Sequence, residues 1–428
     1  NSVVALDART GRYLWHFQTV HHDVWDYDLP QAPKLLTLRR DGRRVDAVAV
    51  AGKTGFVYTF DRRTGRPVFP IEERPVPQSD MAGEQTSPTQ PFPVAPPPFA
   101  LQRFSADDLS PYLAPDERAD LLEMLSQSRN EGMFTPPSRQ GTGTMPGTSG
   151  GTNWGNGVVD RRTGRLFLVA HEVPSILRLE RASDRAPARF LTAASRPGAT
   201  VYAEECARCH GSDRKGQPPA VPSLVDVGDR MAVDAFRDVV ERGRATMPGI
   251  SLSGRKLGDL LEYLGYPEAT VEGNAEPSEA ADSNVDLRSA DSPIHYRSGF
   301  NFLFSTTGLP ASAPPWSTLT ALDMNTGELL WRVPYGELSG LVGSGTVFPR
   351  GAIVGTAGGL LIAANQDRKL RAWDMDTGEV ILEKNLPSTP NGVPAVYQVD
   401  GRQFIAVPAA SWDPQIAKMV PSGVMPEG

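Results

Sequence analysis

The most regular pattern in the chain is a phrase of apolar and polar positions that occurs five times. Each copy has an apolar residue, Asp, two variable positions, Thr-Gly, one further position and then apolar or aromatic residues. Asp followed by Thr-Gly is typical of a tight turn, and the flanking apolar positions are typical of strands. Each phrase therefore predicts a strand, a turn and the start of a second strand. The five phrases, numbered in chain order below, occupy residues 5–15, 59–69, 158–168, 321–331 and 372–382.

The phrases recur at intervals that predict an all-β propeller with two insertions. Their starts are separated by 54, 99, 163 and 51 residues. A repeat of about 50 residues made of short strands is typical of propeller blades. The 41 Gly and 39 Pro also favour short strands and long loops over a helical bundle. The first insertion, 70–150, begins rich in proline and then has a helix-like stretch near 116–125. We expect it to be a long structured loop.

The second insertion has apolar residues at helical spacing, which predicts a small α-helical domain inside the β fold. The residues that carry this pattern are Val233, Phe236, Val239 and Val240, and then Leu257, Leu260, Leu261 and Leu264. The segment that follows, 268–293, contains seven carboxylates and one arginine, which predicts a solvated linker.

The only two cysteines, Cys206 and Cys209, lie in the same insertion and are followed directly by His210. The spacing C-x-x-C-H is the attachment signal for c-type haem, in which both thiols bind the porphyrin and the histidine binds iron. A zinc site or a redox dithiol is the alternative. Zinc would need two more ligands, and the other five histidines form no pair nearby. A thioredoxin-like dithiol would need a strand before it and a helix after it.

Charge and hydropathy exclude two classes of partner. Lys and Arg number 43 against 50 Asp and Glu, which gives a net charge of −7 and no general footprint for nucleic acid or an anionic membrane. No predominantly apolar run reaches the ~18 residues of a transmembrane segment. The chain begins at Asn1 with a strand-like motif and without a signal peptide, so we expect a longer protein whose N-terminal part is missing here.

The helical insertion resembles a class I cytochrome c over 197–267. The resemblance rests on CARCH, on the segment GRATMPGI with its Met-Pro pair, and on the last amphipathic helix. It implies that His210 and Met247 are the axial ligands of haem iron, with Met231 as the weaker alternative to Met247. Ligation by His and Met suits electron transfer.

The remainder resembles the quinoprotein dehydrogenases, which use pyrroloquinoline quinone (PQQ), in the branch of the membrane-bound glucose dehydrogenases. The segments that carry the resemblance are HHDVWDYDLP (21–30), AGKTGFVYTFDRRTG (51–65), GGTNWGNGVVD (150–160), PPWSTLTALDMNTGELLW (314–331) and NQDRKLRAWDMDTGE (365–379). The family implies an eight-bladed β-propeller, incomplete in this chain, in which the tryptophan of each blade docks between neighbouring sheets.

The resemblance also implies site residues. Asp26 matches the catalytic base, and Lys53 matches the residue that contacts the quinone. Asn153 with the adjacent Trp154, and Asp367 of the last phrase, match cofactor contacts. The family places Ca²⁺ or Mg²⁺ on the cofactor, and Asp28 is a weaker candidate ligand because it lies two residues from Asp26 on an extended segment. We expect the residues other than Asp28 to meet at the propeller axis.

The oxidation of an alcohol by a quinone requires residues of these types. Oxidation of an alcohol needs a base for the hydroxyl proton, and a cation stabilises charge that develops on a reduced carbonyl. Each residue also has a plain structural explanation. Asp26 and Lys53 alone would be surface charges, and Asn153 and Asp367 alone would be turn residues.

The two resemblances together imply a quinohaemoprotein that oxidises a sugar, polyol or other alcohol. Electrons would pass from PQQ to haem c and then to an external one-electron acceptor, which is a cytochrome, a quinone or an oxidase chain. Covalent haem implies the periplasm or another exported compartment. The predicted organisation is propeller blades at 1–181 and 294–428, with the cytochrome at 197–267. The alternatives are a propeller that carries haem without catalysis, and a propeller scaffold.

Overall fold

The computed structural model of the chain is built mainly of antiparallel β-strands with a few helices. It describes residues 1–155, 157–181, 198, 201–202, 205–211, 214–216, 221–225, 227–244, 247–250, 252, 254–266, 296–338, 340–349 and 351–409. The predicted linker at 268–293 lies outside the described residues.

The elements are numbered in chain order. The strands are β1 Ser2–Leu6, β2 Tyr13–Gln18, β3 Lys34–Arg40, β4 Arg43–Ala51, β5 Val57–Asp61, β6 Ile71–Pro75, β7 Thr89–Pro93, β8 Thr142–Thr144, β9 Val158–Asp160, β10 Arg165–His171, β11 Ser175–Leu177, β12 Glu180–Arg181, β13 Gly243–Arg244, β14 Met247–Pro248, β15 Tyr296–Arg297, β16 Ser317–Asp323, β17 Glu328–Pro334, β18 Val354–Gly355, β19 Leu360–Asn365, β20 Lys369–Asp374, β21 Val380–Asn385, β22 Ala395–Val399 and β23 Arg402–Ala406. The helices are α1 Pro115–Gln127, α2 Ala207–His210, α3 Val227–Arg230, α4 Val233–Arg242 and α5 Gly254–Tyr263, with a 3-10 turn at Ala106–Asp108.

The phrases form tight turns at strand ends, as the sequence predicts. In the first phrase the carboxylate of Asp7 accepts hydrogen bonds from the backbone N–H groups of Arg9 and Thr10, at 3.1 and 2.9 Å. Asp61 and Asp374 make the same pair of bonds in the second and fifth phrases. The repeated Asp is therefore a turn residue, because its side chain satisfies the N–H groups that the reversal leaves unpaired.

The third and fourth phrases lie in one sheet, whose strand order is β17-β16-β10-β9. The third phrase forms the turn from β9 to β10 and the fourth forms the turn from β16 to β17. The first, second and fifth phrases belong to the sheets β1-β2, β3-β4-β5 and β18-β19-β20-β21. Two phrases can therefore lie in one sheet, because any Asp-capped turn between antiparallel strands satisfies the same sequence pattern.

Aromatic residues at the end of the phrases dock the sheets side by side. Trp15 of the first phrase packs on Gly65 of the second, where a side-chain carbon would lie 2.7 Å from the indole ring. Trp331 of the fourth phrase packs on Gly378 of the fifth in the same way, with 2.8 Å to the ring. Both glycines have positive φ angles, 71° and 75°. Close approach and backbone conformation both require glycine there, which explains why Gly is fixed in the phrase.

The core lies between the sheets, and strand β10 shows how it is built. Leu166 and Leu168 join the cluster formed with the β3-β4-β5 sheet. Phe167 and Val169 point to the other face and join a cluster with Leu361 and Trp373 of the fifth-phrase sheet. Side chains alternate between the faces of a strand, so a strand packed between two sheets is apolar at consecutive positions.

The helical insertion leaves the propeller sheet between β10 and β16. Helices α4 and α5 bury Phe236, Val240, Leu260 and Leu261 in a cluster of their own, as their helical spacing predicts. A two-residue ladder between β13 and β14 is the one departure from the expected all-α character in this described region. On the propeller side, β12 pairs antiparallel with β15. The chain thus departs and returns on adjacent strands.

The first insertion is a long structured loop, as expected. It contains the hairpin β6-β7 and helix α1, which covers the predicted 116–125. Leu121 and Leu125 of α1 pack against a cluster that includes Phe104 and Ile176. Among the described residues, no helix is both long enough and apolar enough to span a bilayer.

Candidate functional site at the end opposite the phrase turns

The candidate residues lie at one end of the sheets. Successive strands of an antiparallel sheet run in opposite directions, so alternate connections meet at opposite ends. The phrase turns occupy one end, since neighbouring turns dock on each other through Trp15 and Trp331. The connections that carry the predicted site residues occupy the other end. They are β2 to β3, β4 to β5, the segment before β9, and β19 to β20.

Lys53 joins two of the predicted carboxylates. Its ammonium Nζ lies 2.7 Å from Oδ2 of Asp26 and 2.7 Å from Oδ1 of Asp28. The lysine side chain is only 10% exposed, whereas those of Asp26 and Asp28 are 62% and 44% exposed. A buried cation therefore sits beneath two accessible carboxylates, which is not the arrangement of three independent surface charges.

The segment 25–28 folds this way because its residues alternate. Trp25 and Tyr27 are buried, and their indole N–H and phenol O–H donate to the carbonyl oxygens of Thr135 and Pro146 at 2.8 Å each. The Asp residues between and after them point outward. Asp26 has a φ of 66°, a conformation that Asp tolerates better than most residues.

The electrostatics of the cluster keep Lys53 charged. Burial by itself would lower the pKa of Lys53, but hydrogen bonds from the ammonium to Asp26 and Asp28, with their charge attraction, outweigh it and raise the pKa. The group is therefore a fixed cation. It can stabilise negative charge that develops beside it, but it cannot serve as a base near neutral pH.

The glycine-rich segment before β9 packs directly on Lys53. The amide N–H of Gly151 donates to the Lys53 carbonyl at 2.6 Å, and a side-chain carbon at Gly150 would lie 2.2 Å from Cγ of the lysine. Asn153 makes local bonds, to the carbonyl of Ser149 and from the N–H of Trp154. The indole of Trp154 is 43% exposed. An accessible aromatic ring thus lies four residues along the chain from Gly150, which packs on Lys53.

Asp367 lies at the same end of the sheets but within another cluster of charges. Its carboxylate is 2.6 Å from the guanidinium of Arg371, and it accepts the backbone N–H groups of Glu337 and Lys369. Burial raises its pKa and Arg371 opposes the rise. No hydrogen bond or ion pair joins Asp367 to Lys53 within the described ranges. The expected convergence of these two residues therefore remains a prediction.

One buried carboxyl group was missed by the sequence analysis. Glu172 directly follows β10, is 2% exposed, and accepts the Leu101 N–H at 2.9 Å. Burial is the main cause that raises the pKa of Glu172 to about 7, and the Leu101 hydrogen bond and the charge of Arg332 oppose it. Its neighbour His171 bonds Ser149 at 2.7 Å, next to the glycines on Lys53. The apolar run before Glu172 signals burial, but no local pattern shows that the carboxylate itself is enclosed.

The CARCH segment ends in a short helix that contains His210. Helix α2 begins directly after Cys206, and both thiols are free. The carbonyl of Pro222 lies 2.9 Å from Nδ1 of His210. A carbonyl can only accept, so Nδ1 carries the hydrogen and the lone pair of Nε2 is left for a metal. Burial, with the nearby Glu205 and Cys209, raises the pKa of Cys206 to about 11, the opposite of a reactive redox dithiol.

The metal predictions differ in how far the residues fit them. Among the described residues, no group of three or more His, Cys, Asp or Glu side chains is arranged to hold a metal ion. The zinc alternative for CARCH therefore lacks partners there. Asp26 and Asp28 supply two carboxylates for Ca²⁺ or Mg²⁺, and Ca²⁺ takes ~6–8 oxygens, so a cation at this place needs further ligands. Met247 lies in β14, while Met231 packs against the helical core.

Sequence comparison identifies the fold family. The profile described as "Glucose/ethanol/alcohol dehydrogenase, beta-propeller domain" matches residues 1–217 and 263–405. The chain belongs to this family. A second profile, "Cytochrome C oxidase, cbb3-type, subunit III", matches residues 193–264 and indicates a small cytochrome domain within the propeller chain.

Curated relatives show the same relationship. The quinoprotein glucose dehydrogenase of Escherichia coli (strain K12) is 29% identical over 96% of this chain and 42% of its own length. The probable quinate dehydrogenase (quinone) of Xanthomonas campestris pv. juglandis is 28% identical over 95% and 42%. The quinohemoprotein alcohol dehydrogenase ADH-IIG of Pseudomonas putida is 45% identical over 15% of this chain and 9% of its own. The chain thus spans less than half the length of these relatives.

Proposed function

We propose that the protein is a PQQ-dependent quinohaemoprotein dehydrogenase that oxidises a hydroxyl group of a sugar, polyol or other alcohol. The observation that carries the proposal is the contact of the buried Lys53 with the accessible carboxylates Asp26 and Asp28. It occurs in a chain of the glucose/ethanol/alcohol dehydrogenase family. The named activities of the relatives, on glucose and quinate, support a polyhydroxylated substrate.

Asp26 is the proposed base. Its side chain is more exposed than that of Asp28, so a hydroxyl group can approach it from solvent. The 2.7 Å bond from the Lys53 ammonium holds the carboxylate of Asp26 in one orientation. In its ionised form Asp26 can accept the proton of a substrate hydroxyl group while hydride leaves the carbon.

Lys53, Asn153 and Trp154 are the proposed cofactor contacts. A planar, negatively charged ring system suits the fixed ammonium of Lys53, the glycines packed on it and the exposed indole of Trp154. When bound, PQQ supplies the two-electron acceptor for the substrate. Lys53 would place its charge beside the carbonyl that becomes negative, and Gly150 leaves the lysine stem no room to move away. Asp28 would contribute to a Ca²⁺ or Mg²⁺ site together with ligands from outside the described residues.

The cytochrome region is proposed to carry electrons onward. Cys206 and Cys209 would attach the haem, while His210 and Met247 would bind its iron. When bound, haem c supplies a one-electron carrier, and such a carrier matches a cofactor that gains electrons two at a time. The insertion leaves the sheet between β10 and β16, at the same end as Lys53. We further propose an external one-electron acceptor and an exported compartment such as the periplasm.

The test is dye-linked dehydrogenase activity of the full-length protein, produced with haem maturation. Activity on glucose, polyols and simple alcohols is measured with and without PQQ and Ca²⁺, while the haem absorbance is followed. We expect turnover that needs PQQ and reduces the haem. Haem that no substrate reduces, with no uptake of PQQ, would reject the enzyme in favour of a haem carrier or a scaffold.

The substitution Asp26→Asn tests the assigned base. We expect kcat to fall by about 10²–10⁴-fold with PQQ binding retained, because Asn keeps the shape but cannot accept the proton. Asp41→Asn is the matched control, since Asp41 also has a positive φ, 48°, and lies at the other end of the sheets. Unchanged turnover in Asp26→Asn would remove Asp26 from the mechanism.

A further inference from the structure

A cleft lined by arginines lies at the phrase-turn end of the molecule, away from Lys53. It has a volume of about 570 Å³ and separates the β3-β4 turn from the third-phrase turn. Arg39, Arg43 and Arg44 line one wall, and Arg161 and Arg162 line the other. No carboxylate is among its ten lining residues. Five guanidinium groups thus border one space in a chain whose net charge is −7.

Three of these arginines make no ion pair with the residues that the structure describes. Arg44 reaches Asp46 at 3.6 Å and Arg162 reaches Asp160 at 3.4 Å, both outside the lining. The guanidinium groups of Arg39, Arg43 and Arg161 make no ion pair with any described part of the chain. Like charges repel when they are placed together, so a cluster of this kind is more stable with a bound anion than without one.

The walls are held in fixed positions by Asn325 of the fourth phrase. Its side chain accepts the N–H of Arg39 at 2.9 Å and donates to the carbonyl of Thr163 at 2.8 Å. The guanidinium of Arg40 bonds the Asn325 carbonyl at 3.0 Å. The two walls, which come from different sheets, are therefore joined through one residue. The backbone positions that carry the arginines are therefore fixed relative to one another.

The phrase itself does not require these arginines. The third phrase has Arg161 and Arg162 between its Asp and its Thr-Gly, where the fourth has Met324 and Asn325. Both segments form the same turn between antiparallel strands. The turn therefore accepts arginine at these positions, as it also does at Arg62 and Arg63 of the second phrase, but it does not require it.

We propose that this cleft binds the phosphate groups of an anionic ligand. Guanidinium groups bind phosphate oxygens through paired hydrogen bonds, and the volume has room for more than one phosphate. The ligand is either a phospholipid headgroup at a membrane surface or a soluble phosphorylated molecule. The two sources present the same chemistry to the arginines, and the experiment distinguishes them.

The experiment uses the full-length holoprotein and three probes. Pyrophosphate binding is measured by titration calorimetry, and lipid binding by sedimentation with vesicles of phosphatidylcholine alone or mixed with phosphatidylglycerol. We expect binding that weakens as salt is added. Binding only to the mixed vesicles identifies a lipid headgroup, and binding only to pyrophosphate identifies a soluble ligand. Binding to neither would overturn the proposal.

The double variant Arg43→Gln/Arg161→Gln is the specific test. It removes one unpaired guanidinium from each wall, and we expect affinity to fall by at least ~10-fold. The matched control is Arg9→Gln/Arg63→Gln, which removes the same charge from exposed turn positions outside the cleft. An equal loss in both variants would show that only net charge matters and would reject the site. Haem absorbance and PQQ-dependent turnover report that each variant is folded.

Discussion

Glu172→Gln tests by how much the ionised form of the buried carboxyl group next to β10 lowers the free energy of unfolding. The side chain is 2% exposed, and burial is the main cause that raises its pKa from the ordinary 4.5 to about 7. At ~1.36 kcal/mol per pH unit, this rise corresponds to about 3 kcal/mol between the protonated and ionised forms. Gln keeps an oxygen that can accept the Leu101 N–H, while its charge is absent at every pH.

The sign of the pH dependence follows from which state holds the proton. Between about pH 4.5 and pH 7 the folded protein keeps Glu172 protonated while the unfolded chain does not. The contribution of Glu172 to the free energy of unfolding is therefore largest below pH 4.5. It falls as the pH rises to 7, and it is constant above that. Glu172→Gln removes this fall, so the variant should be more stable than the parent at pH 8, by up to ~3 kcal/mol, and similar at pH 4.5.

The assay is urea unfolding of the holoprotein at fixed temperature between pH 4.5 and pH 8, followed by tryptophan fluorescence. The difference between variant and parent isolates Glu172 from the other titrating groups. Glu379→Gln, at an exposed position of the fifth phrase, is the control and should leave the pH profile of the parent. If the free energies of unfolding of Glu172→Gln and the parent ran parallel across this pH range, the reasoning would be refuted. Glu172 would then bind no more protons in the folded state than in the unfolded state.

Three further outcomes test other parts of the molecule. Lys53→Met should lower kcat/KM of the PQQ-loaded enzyme by ~10²-fold or more, because Asp26 and Asp28 lose their common cation. An unchanged kcat/KM would show that the Lys53, Asp26 and Asp28 cluster takes no part in catalysis. Gly378→Ala should lower the melting temperature, since the new methyl group meets the Trp331 ring at 2.8 Å in a backbone with φ of 75°. Cys209→Ser should reduce the haem that stays attached on a denaturing gel, and full retention would contradict the CARCH assignment.

The sequence was most informative where structure is set by near neighbours. The phrase turns depend on an Asp carboxylate and the N–H groups two and three residues later, so Asp7 and Asp374 are readable from spacing alone. The helix spacing in the insertion is local in the same sense, and it correctly placed Phe236 and Leu260 in a separate core.

The sequence was less informative where distant segments meet. Nothing local distinguishes the third phrase from the fourth, although strand β10 pairs with β16 across the whole cytochrome insertion. Burial of Lys53 depends on Gly150, about a hundred residues away, and enclosure of Glu172 depends on Leu101 and Thr318. The resemblance to quinoprotein dehydrogenases pointed to Lys53, because a family pattern includes residues that are distant in sequence. It gave no signal for Glu172 or for the arginine cleft.

The pairing of β12 with β15 gives the protein an exchangeable module. Arg181 and Tyr296 face each other across this two-residue ladder, so the chain ends of the insertion are separated by one strand spacing. In the propeller sheet, the whole segment between these two residues takes the place of a hairpin turn. A short turn joining Arg181 to Tyr296 would close the same sheet, and another small domain with adjacent termini could be grafted there. Evolution and protein engineering can thus change the inserted domain at this position without redesigning the strands that surround Lys53.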